Sequence, residues 1–204
     1  MIKTQVKILL RGYLENESGG LTRPTITLVR SENYNIIVDP GTVKNQKEIV
    51  DALKKEELSI DDINIVFITH SHLDHYRNIG MFPKAKTLEY FGLWGNDGSI
   101  VDYNKKFSKD IEIIKTPGHN YDGLTLLVTV EPSSTPGVKE SEHPRGVSGQ
   151  VAICGDVFWK ENYPKKDPYA SDPIALEVSR KKVLKLANYV IPGHGEIFST
   201  KKCD

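Results

Sequence analysis

The chain has 204 residues, of which 38% are hydrophobic and 26% charged, and its 27 basic and 27 acidic side chains leave no net charge. We expect one globular domain, residues 1–204, and no strongly basic nucleic-acid-binding protein, although local basic patches stay open. Two cysteines cannot form a disulfide framework, and no stretch approaches the roughly 18 apolar residues of a membrane span or the apolar core of a signal peptide. This predicts a cytoplasmic protein without membrane contact.

Short apolar runs predict strands in two batches, each with a helix after it. The first batch has strands at 6–10, 25–29, 34–38, 63–68 and 87–91, with a helix at 46–56. The second has strands at 111–114, 124–130 and 150–154, and the loop at 131–149 is rich in Pro, Ser, Gly and Glu, so we expect it to be exposed. A second helix is predicted to begin after Asp172, with Pro173 at its first position and an apolar face formed by Ile174, Ala175, Leu184 and Ala187.

A dense group of candidate metal ligands follows the strand predicted at 63–68. Three imidazoles and a carboxylate crowd into the segment Thr69-His70-Ser71-His72-Leu73-Asp74-His75. Burying these groups without partners would cost several kcal/mol each. Neutral imidazole and carboxylate are, however, good ligands for zinc and similar divalent ions. The segment therefore predicts a metal centre presented by a loop at the end of a strand.

Three further candidates occur later, each after a short apolar run and beside a glycine: His119, Asp156 and His194. Together with the first segment they make seven possible ligands. Seven are too many for one tetrahedral ion and suit two ions about 3.5–4 Å apart. His143 lies in the loop at 131–149 without a motif around it, so we expect it to be solvated and its replacement by alanine to be silent.

The order of these motifs over residues 39–195 resembles the metallo-beta-lactamase fold superfamily. The resemblance implies an α/β fold, the four-layer αβ/βα sandwich, with the site at one edge of the sheets. It implies two divalent ions, most readily zinc, with iron or manganese as alternatives. The implied ligands are His70, His72 and His119 for one ion and Asp74, His75 and His194 for the other, with Asp156 bridging the two.

A narrower resemblance lies in segments 155–158, 171–173, 179–184 and 190–195, which are similar to animal metallo-beta-lactamase-domain proteins implicated in histone pre-mRNA processing. Two divalent ions outweigh two ligand carboxylates and one hydroxide, so the centre is expected to be net positive and to favour anionic substrates. We therefore expect a metal-bound hydroxide to attack a phosphodiester of RNA or single-stranded DNA, with the leaving group protonated by metal-bound water.

Fold alone does not fix the substrate, because superfamily members also hydrolyse thioesters, lactones and beta-lactams. A small-molecule substrate of this kind is the alternative to nucleic acid. A mononuclear iron persulfide dioxygenase, which would use His70, His119 and Asp156 alone, is disfavoured by the complete second ligand set.

Supporting roles are predicted for several neighbouring residues. Asp74 is expected to handle a proton as well as bind metal, and Asp39 is a candidate hydrogen-bond partner of a ligand imidazole. Cys154 is expected to be a small core thiol. A basic run could hold phosphates or be solvated, and it comprises Lys160, Lys165 and Lys166. Five aromatic side chains near the motifs could line a cleft or pack in the core: Trp94, Trp159, Tyr163, Tyr76 and Tyr121.

Overall fold

The computed structural model describes residues 3–15, 20–131 and 148–202, so His143 and most of the loop at 131–149 lie outside the described residues. Within the described residues the strands are β1 Gln5–Leu10, β2 Tyr13–Leu14, β3 Thr22–Arg23, β4 Ile26–Arg30, β5 Asn35–Val38, β6 Ile65–Phe67, β7 Lys86–Glu89, β8 Gly92–Trp94, β9 Ile100–Val101, β10 Ile111–Lys115, β11 Leu124–Val130, β12 Gly149–Ile153, β13 Tyr189–Ile191 and β14 Phe198–Ser199. The helices are α1 Lys47–Lys55, α2 Leu73–Tyr76 and α3 Pro173–Leu186.

The strands form two large sheets and a small hairpin. One sheet has the order β1-β4-β5-β6-β7-β8-β9, the other has the order β10-β11-β12-β13-β14, and β2 pairs with β3. In the first sheet β5, β6 and β7 are parallel. In the second, β10, β12 and β13 point the same way, because β11 is antiparallel to β10 and β12 and β13 is parallel to β12. The loops that follow these strands therefore emerge at one edge of each sheet.

Three apolar layers hold the sheets and helices together, and strand alternation sends successive side chains into different layers. In β5, Ile36 and Val38 pack between the two sheets, whereas Ile37 packs towards α1. In β11, Leu126 packs between the sheets and Leu127 packs towards α3. The sequence of layers is helix, sheet, sheet, helix, which confirms the four-layer αβ/βα sandwich.

Helix α3 begins as predicted but buries a different face. The Asp172 side chain accepts hydrogen bonds from the backbone N–H groups of Ile174 and Ala175, at 3.0 and 2.9 Å. Ile174, however, is 80% exposed, so its predicted place on the buried face is wrong. The buried residues of α3 are Leu176, Ser179, Arg180 and Val183. Two polar residues replace apolar ones on this face because the helix covers loop carbonyl groups as well as the sheet.

One smaller prediction, on Cys154, is confirmed by the structure. Cys154 is buried between the second sheet and α3, and burial raises the pKa of its thiol, which confirms a core cysteine. No helix in the described part of the chain has the length and apolar character needed to cross a membrane.

Candidate metal centre

All seven predicted ligands meet at the common edge of the sheets. The loop after β6 carries His70 and His72, and the short helix α2 carries Asp74 and His75. The remaining three follow three strands of the second sheet: His119 after β10, Asp156 after β12 and His194 after β13. Each lies on a loop that a rigid strand positions, which is a common way to present functional side chains.

The seven side chains form two groups of candidate ligand atoms. In the group of His70, His72, His119 and Asp156, and in the group of Asp74, His75 and His194, these atoms lie within 4.8 Å of one another. His72 Nδ1 is 3.0 Å from both His70 Nε2 and His119 Nε2. Ligands about 2.0–2.1 Å from a tetrahedral zinc ion are separated by roughly 3.3 Å. The first group therefore has the spacing of a set that converges on one ion.

Asp156 is the carboxylate that reaches both groups. Its Oδ2 lies 3.4 Å from His119 Nε2 and 3.3 Å from His194 Nε2, and its Oδ1 lies 3.5 Å from His75 Nε2. This position depends on a glycine beside it, because a Cβ built on Gly193 would lie 1.7 Å from Asp156 Oδ1. The arrangement suits one carboxylate shared by two ions.

The ring nitrogens that face away from the groups are held by hydrogen-bond acceptors. His75 Nδ1 lies 2.8 Å from Asp39 Oδ2, which confirms the predicted partner role of Asp39. The same carboxylate accepts hydrogen bonds from the backbone and hydroxyl of Thr69, at 2.8 and 2.7 Å. His194 Nδ1 lies 3.0 Å from the carbonyl oxygen of Arg23. Such acceptors favour the Nδ1–H tautomer, which leaves Nε2 free to bind metal.

A second carboxylate partner was not predicted from the sequence. Asp167 Oδ2 lies 2.6 Å from His119 Nδ1, and the Asp167 side chain is fully buried. Asp167 precedes Pro168, just as Asp39 precedes Pro40, so an aspartate before proline is the signal that could have found it. Each candidate metal group thus has one imidazole held by a buried carboxylate.

Two buried polar atoms of the seven side chains, His75 Nε2 and Asp156 Oδ1, have no hydrogen-bond partner among the described residues. An unpartnered buried polar atom is costly and calls for an explanation, and a metal ion supplies one. Burial and the nearby His75 also lower the pKa of His70 well below its ordinary value, so its imidazole stays neutral as a ligand must. Burial would lower the pKa of His75 too, but Asp156 and Asp39 outweigh it and raise that pKa to about 10. The chemistry of this donor set fits divalent metal ions.

The expectation of a net positive centre needs correction. It counted only the carboxylates of Asp74 and Asp156, whereas Asp39 and Asp167 are also buried against ligand imidazoles. Their two negative charges outweigh the single positive charge that the ligands, two divalent ions and one hydroxide would leave, so the centre as a whole would carry about one negative charge. Any attraction for an anionic substrate must therefore come from basic side chains around the centre.

Helix α3 holds the His119 loop through backbone carbonyls. The N–H groups of Ser171 and Asp172, at its start, donate to the carbonyl oxygens of His119 and Gly118, at 3.0 and 2.9 Å. About two turns further into the helix, the Ser179 hydroxyl donates to the carbonyl of Pro117 at 2.6 Å. These bonds explain why a serine occupies the buried face of α3.

Arg180 ties two further loops to the same helix. Its Nε donates to the carbonyl of Val157, next to Asp156, at 3.0 Å, and its Nη1 lies 3.4 Å from the carbonyl of Lys165, near Asp167. Arg180 is buried, and its side chain also pairs with Glu177. The arginine therefore positions the shared carboxylate and the partner of His119 together.

A cavity of about 550 Å³ opens beside His194, between the β2–β3 hairpin and the loop after Asp156. Its lining includes three basic residues and two acidic ones: Arg11, Arg23, Lys160, Glu161 and Glu196. Arg11 pairs with Glu196 at 2.6 Å, and Arg23 pairs with Glu48 at 3.0 Å. Lys160 forms no ion pair with any side chain of the described residues, and its Nζ lies 4.4 Å from the centre of the Tyr163 ring.

The five aromatic residues divide between the centre and the core. Trp159 is buried, and its ring lies 6.3 Å from that of His119. Tyr163 packs against Trp159, and Tyr121, two residues beyond His119, is 58% exposed. Tyr76 packs in the layer beneath α1, and the Trp94 indole N–H in β8 donates a hydrogen bond to Glu89. Neither has a described ring contact or hydrogen bond with the seven candidate ligands.

We expect protein purified without added metal to contain two metal ions per chain, with zinc most abundant. The two groups share Asp156 and are otherwise complete, so neither has to recruit ligands from elsewhere. Elemental analysis measures the stoichiometry, and chelator-treated protein is the control. A firm value of one iron per chain would contradict two sites and would favour the dioxygenase alternative.

Asp167→Asn is expected to weaken metal binding at the His119 group by about 10–100-fold, the usual effect of losing an anionic partner of a ligand histidine. A competition titration against a chromophoric chelator measures the affinity of each ion. Asp61→Asn is a matched control, because Asp61 is an exposed carboxylate paired with Lys84. Equal metal affinities in both variants would show that Asp167 does not support His119 in this way.

Comparison with known proteins agrees with this geometry. Residues 19–194 match the family model described as "Metallo-beta-lactamase superfamily". "Metallo-beta-lactamase domain-containing protein 1" of Xenopus laevis is 29% identical over 207 residues, which cover 97% of this chain and 82% of that protein. A protein of Methanocaldococcus jannaschii named "Probable metallo-hydrolase" is 31% identical over 203 residues, which cover 97% and 90%. A crystal structure of a metallo-beta-lactamase-like protein from Thermotoga maritima superposes with a TM-score of 0.67 at 21% identity, covering 97% of this chain and all of that one.

Proposed function

Because this chain belongs to the metallo-beta-lactamase superfamily and is a metallohydrolase of that family, we propose that it hydrolyses a phosphodiester of RNA or single-stranded DNA with two divalent metal ions. The proposed ligands of one ion are His70, His72 and His119, those of the other are Asp74, His75 and His194, and Asp156 is shared. Zinc is the preferred ion, and iron or manganese are alternatives. Bound ions would supply a nucleophile at neutral pH, by lowering the pKa of water, and would polarise the oxygen of the group under attack.

We assign a proton-transfer role to Asp74. Its side chain is 21% exposed, more than the other carboxylate of the centre, so it can meet water and substrate. The Thr22 hydroxyl donates to Asp74 Oδ2 at 3.2 Å, and no described residue donates a hydrogen bond to Oδ1. Oδ1 is therefore the atom that would accept a proton from the attacking water.

The observation that carries the choice of a phosphodiester is the basic rim of the cavity beside His194. Arg11, Arg23 and Lys160 lie there beside the proposed ligand His194. The two arginines are paired with Glu196 and Glu48, whereas the ammonium of Lys160, which pairs with no acidic side chain of the described residues, is available to a phosphate. Lys165 and Lys166 are exposed on the same loop. The three lysines supply positive charge that the buried centre, with four carboxylates, lacks.

A small-molecule thioester, lactone or beta-lactam is the second candidate, and the size of the same cavity favours it. About 550 Å³ lies within the usual range of about 300–1,000 Å³ for small-molecule sites. The deciding experiment compares single-stranded oligonucleotides with one substrate of each small class at equal enzyme concentration. A far higher kcat/KM for an ester or lactam would replace nucleic acid as the substrate, and equal cleavage of nucleic acid by His72→Ala protein would identify a contaminant.

Cleavage of single-stranded RNA or DNA is expected to be weak, because the chain has no net charge. It should also require metal and fall as salt rises, because salt weakens contacts between lysines and phosphates. Lys160→Gln/Lys165→Gln should flatten the salt dependence of substrate binding by about 0.7 in logarithmic slope for each lost phosphate contact. Lys54→Gln/Lys55→Gln removes the same charge from exposed positions of α1 and is the control. If both double variants keep the wild-type slope, this loop does not contact phosphates.

A further inference from the structure

A second cavity, of about 690 Å³, lies between the open edges of the two sheets, away from the basic rim just described. Its lining combines aromatic and basic residues, among them Tyr90, Phe91, Lys105, Lys115 and Lys182, with one acidic residue, Asp102. Its volume is again that of a ligand site. None of its lining residues belongs to either candidate metal group.

The basic side chains of this cavity are only partly neutralised. Lys105 pairs with Glu112 at 3.1 Å, but Lys115 and Lys182 form no ion pair with the described residues. Lys182 Nζ donates to the carbonyl of Lys115 at 2.9 Å, which brings the two lysines to one place. Burial, and after it the nearby Lys105, lower the pKa of Lys182, while Glu112 acts in the opposite direction. The cavity therefore has the electrostatic character of an anion site.

Aromatic rings connect this cavity to the metal centre, with the half-buried Tyr90 between the exposed Tyr121 and Phe91. Tyr121 follows His119 by two residues, and its ring lies 6.1 Å from that of Tyr90. Tyr90 in turn lies 5.3 Å from Phe91, which is 60% exposed, and Lys115 Nζ is 4.1 Å from the centre of the Tyr90 ring. Three aromatic rings and the Lys115 ammonium thus form a continuous path from the His119 loop into the cavity.

We propose that this surface binds the nucleotides on one side of the scissile phosphodiester of a single-stranded nucleic acid. Tyr121 and Phe91 would stack on bases, and Lys115 and Lys182 would contact phosphates, which is how proteins bind single strands without reading sequence. The proposal rests on the proposed function. It also gives the strand a path past the centre, because the basic cavity adjoins His194 and the aromatic path begins beside His119.

The test measures binding by zinc-loaded protein of a fluorescent phosphorothioate oligothymidylate that resists hydrolysis. Fluorescence anisotropy at several salt concentrations gives Kd and the salt slope. Lys115→Gln/Lys182→Gln is expected to lower the slope by about 1.4, the sum for two phosphate contacts. Lys54→Gln/Lys55→Gln, with the same loss of charge on α1, should keep the wild-type slope.

A second pair of variants tests stacking. Tyr121→Leu is expected to weaken binding by roughly 5-fold or more, the effect of losing one stacked base, and Tyr121→Phe should restore it. Wild-type Kd and slope in both Lys115→Gln/Lys182→Gln and Tyr121→Leu would overturn the proposal, and so would a wild-type protein that does not bind the oligonucleotide. Turnover of bis(p-nitrophenyl) phosphate by wild-type protein tests the proposed function separately, because this substrate is too short to reach the cavity.

Discussion

His72→Ala is expected to lower hydrolysis by more than roughly 100-fold while the protein stays folded. His72 Nδ1 lies 3.0 Å from both His70 Nε2 and His119 Nε2, so its loss leaves one metal group with too few ligands. Losing a ligand should cost more than the 10–100-fold typical of losing a ligand's hydrogen-bond partner. The side chain is only half-buried and lies outside the three apolar layers, so the fold does not depend on it. Turnover, metal content and thermal unfolding followed by circular dichroism measure the three effects.

Asp74→Ala should be as inactive as His72→Ala, for two reasons together. It removes a ligand of the second group, and it removes the carboxylate assigned to proton transfer. Metal-loaded Asp74→Asn separates the two reasons, because asparagine can keep a ligand oxygen but cannot accept the proton. If either variant retained most of its turnover at full metal occupancy, Asp74 would have no role in proton transfer.

Gly193→Ala is expected to remove metal binding and activity together, although the change adds a single methyl group. That Cβ would lie 1.7 Å from Asp156 Oδ1, so the shared carboxylate would have to leave its position between the groups. Gly80→Ala is the matched control, since a Cβ there meets nothing within 4 Å. Metal titration of the two variants gives the comparison, and circular dichroism checks that both are folded. Wild-type metal affinity in Gly193→Ala would mean that Asp156 does not need its observed position.

The sequence predicted those parts of the protein that depend on local pattern. Short apolar runs predicted most strands of both sheets, and the motif order led to the seven residues that the structure brings together. Asp167 was missed because, unlike Asp39, it does not follow a predicted strand, and only folding brings it to His119, 48 positions away. The buried face of α3 was misjudged because Ser179 and Arg180 bond loop carbonyls, which hydrophobic periodicity cannot show. That residues 1–204 form one domain stays a prediction.

The position of Asp156 makes the two metal affinities interdependent. An ion in either group would neutralise this carboxylate and fix its orientation, and both effects change the free energy with which the other group binds its own ion. Linkage requires the effect to be reciprocal: the factor by which the first ion alters the affinity for the second equals the factor in the opposite order. The two zinc ions should therefore bind with positive or negative cooperativity, and not independently. In a cell where zinc is scarce, the sign of that coupling would decide whether the chain holds mainly one ion or mainly none or two.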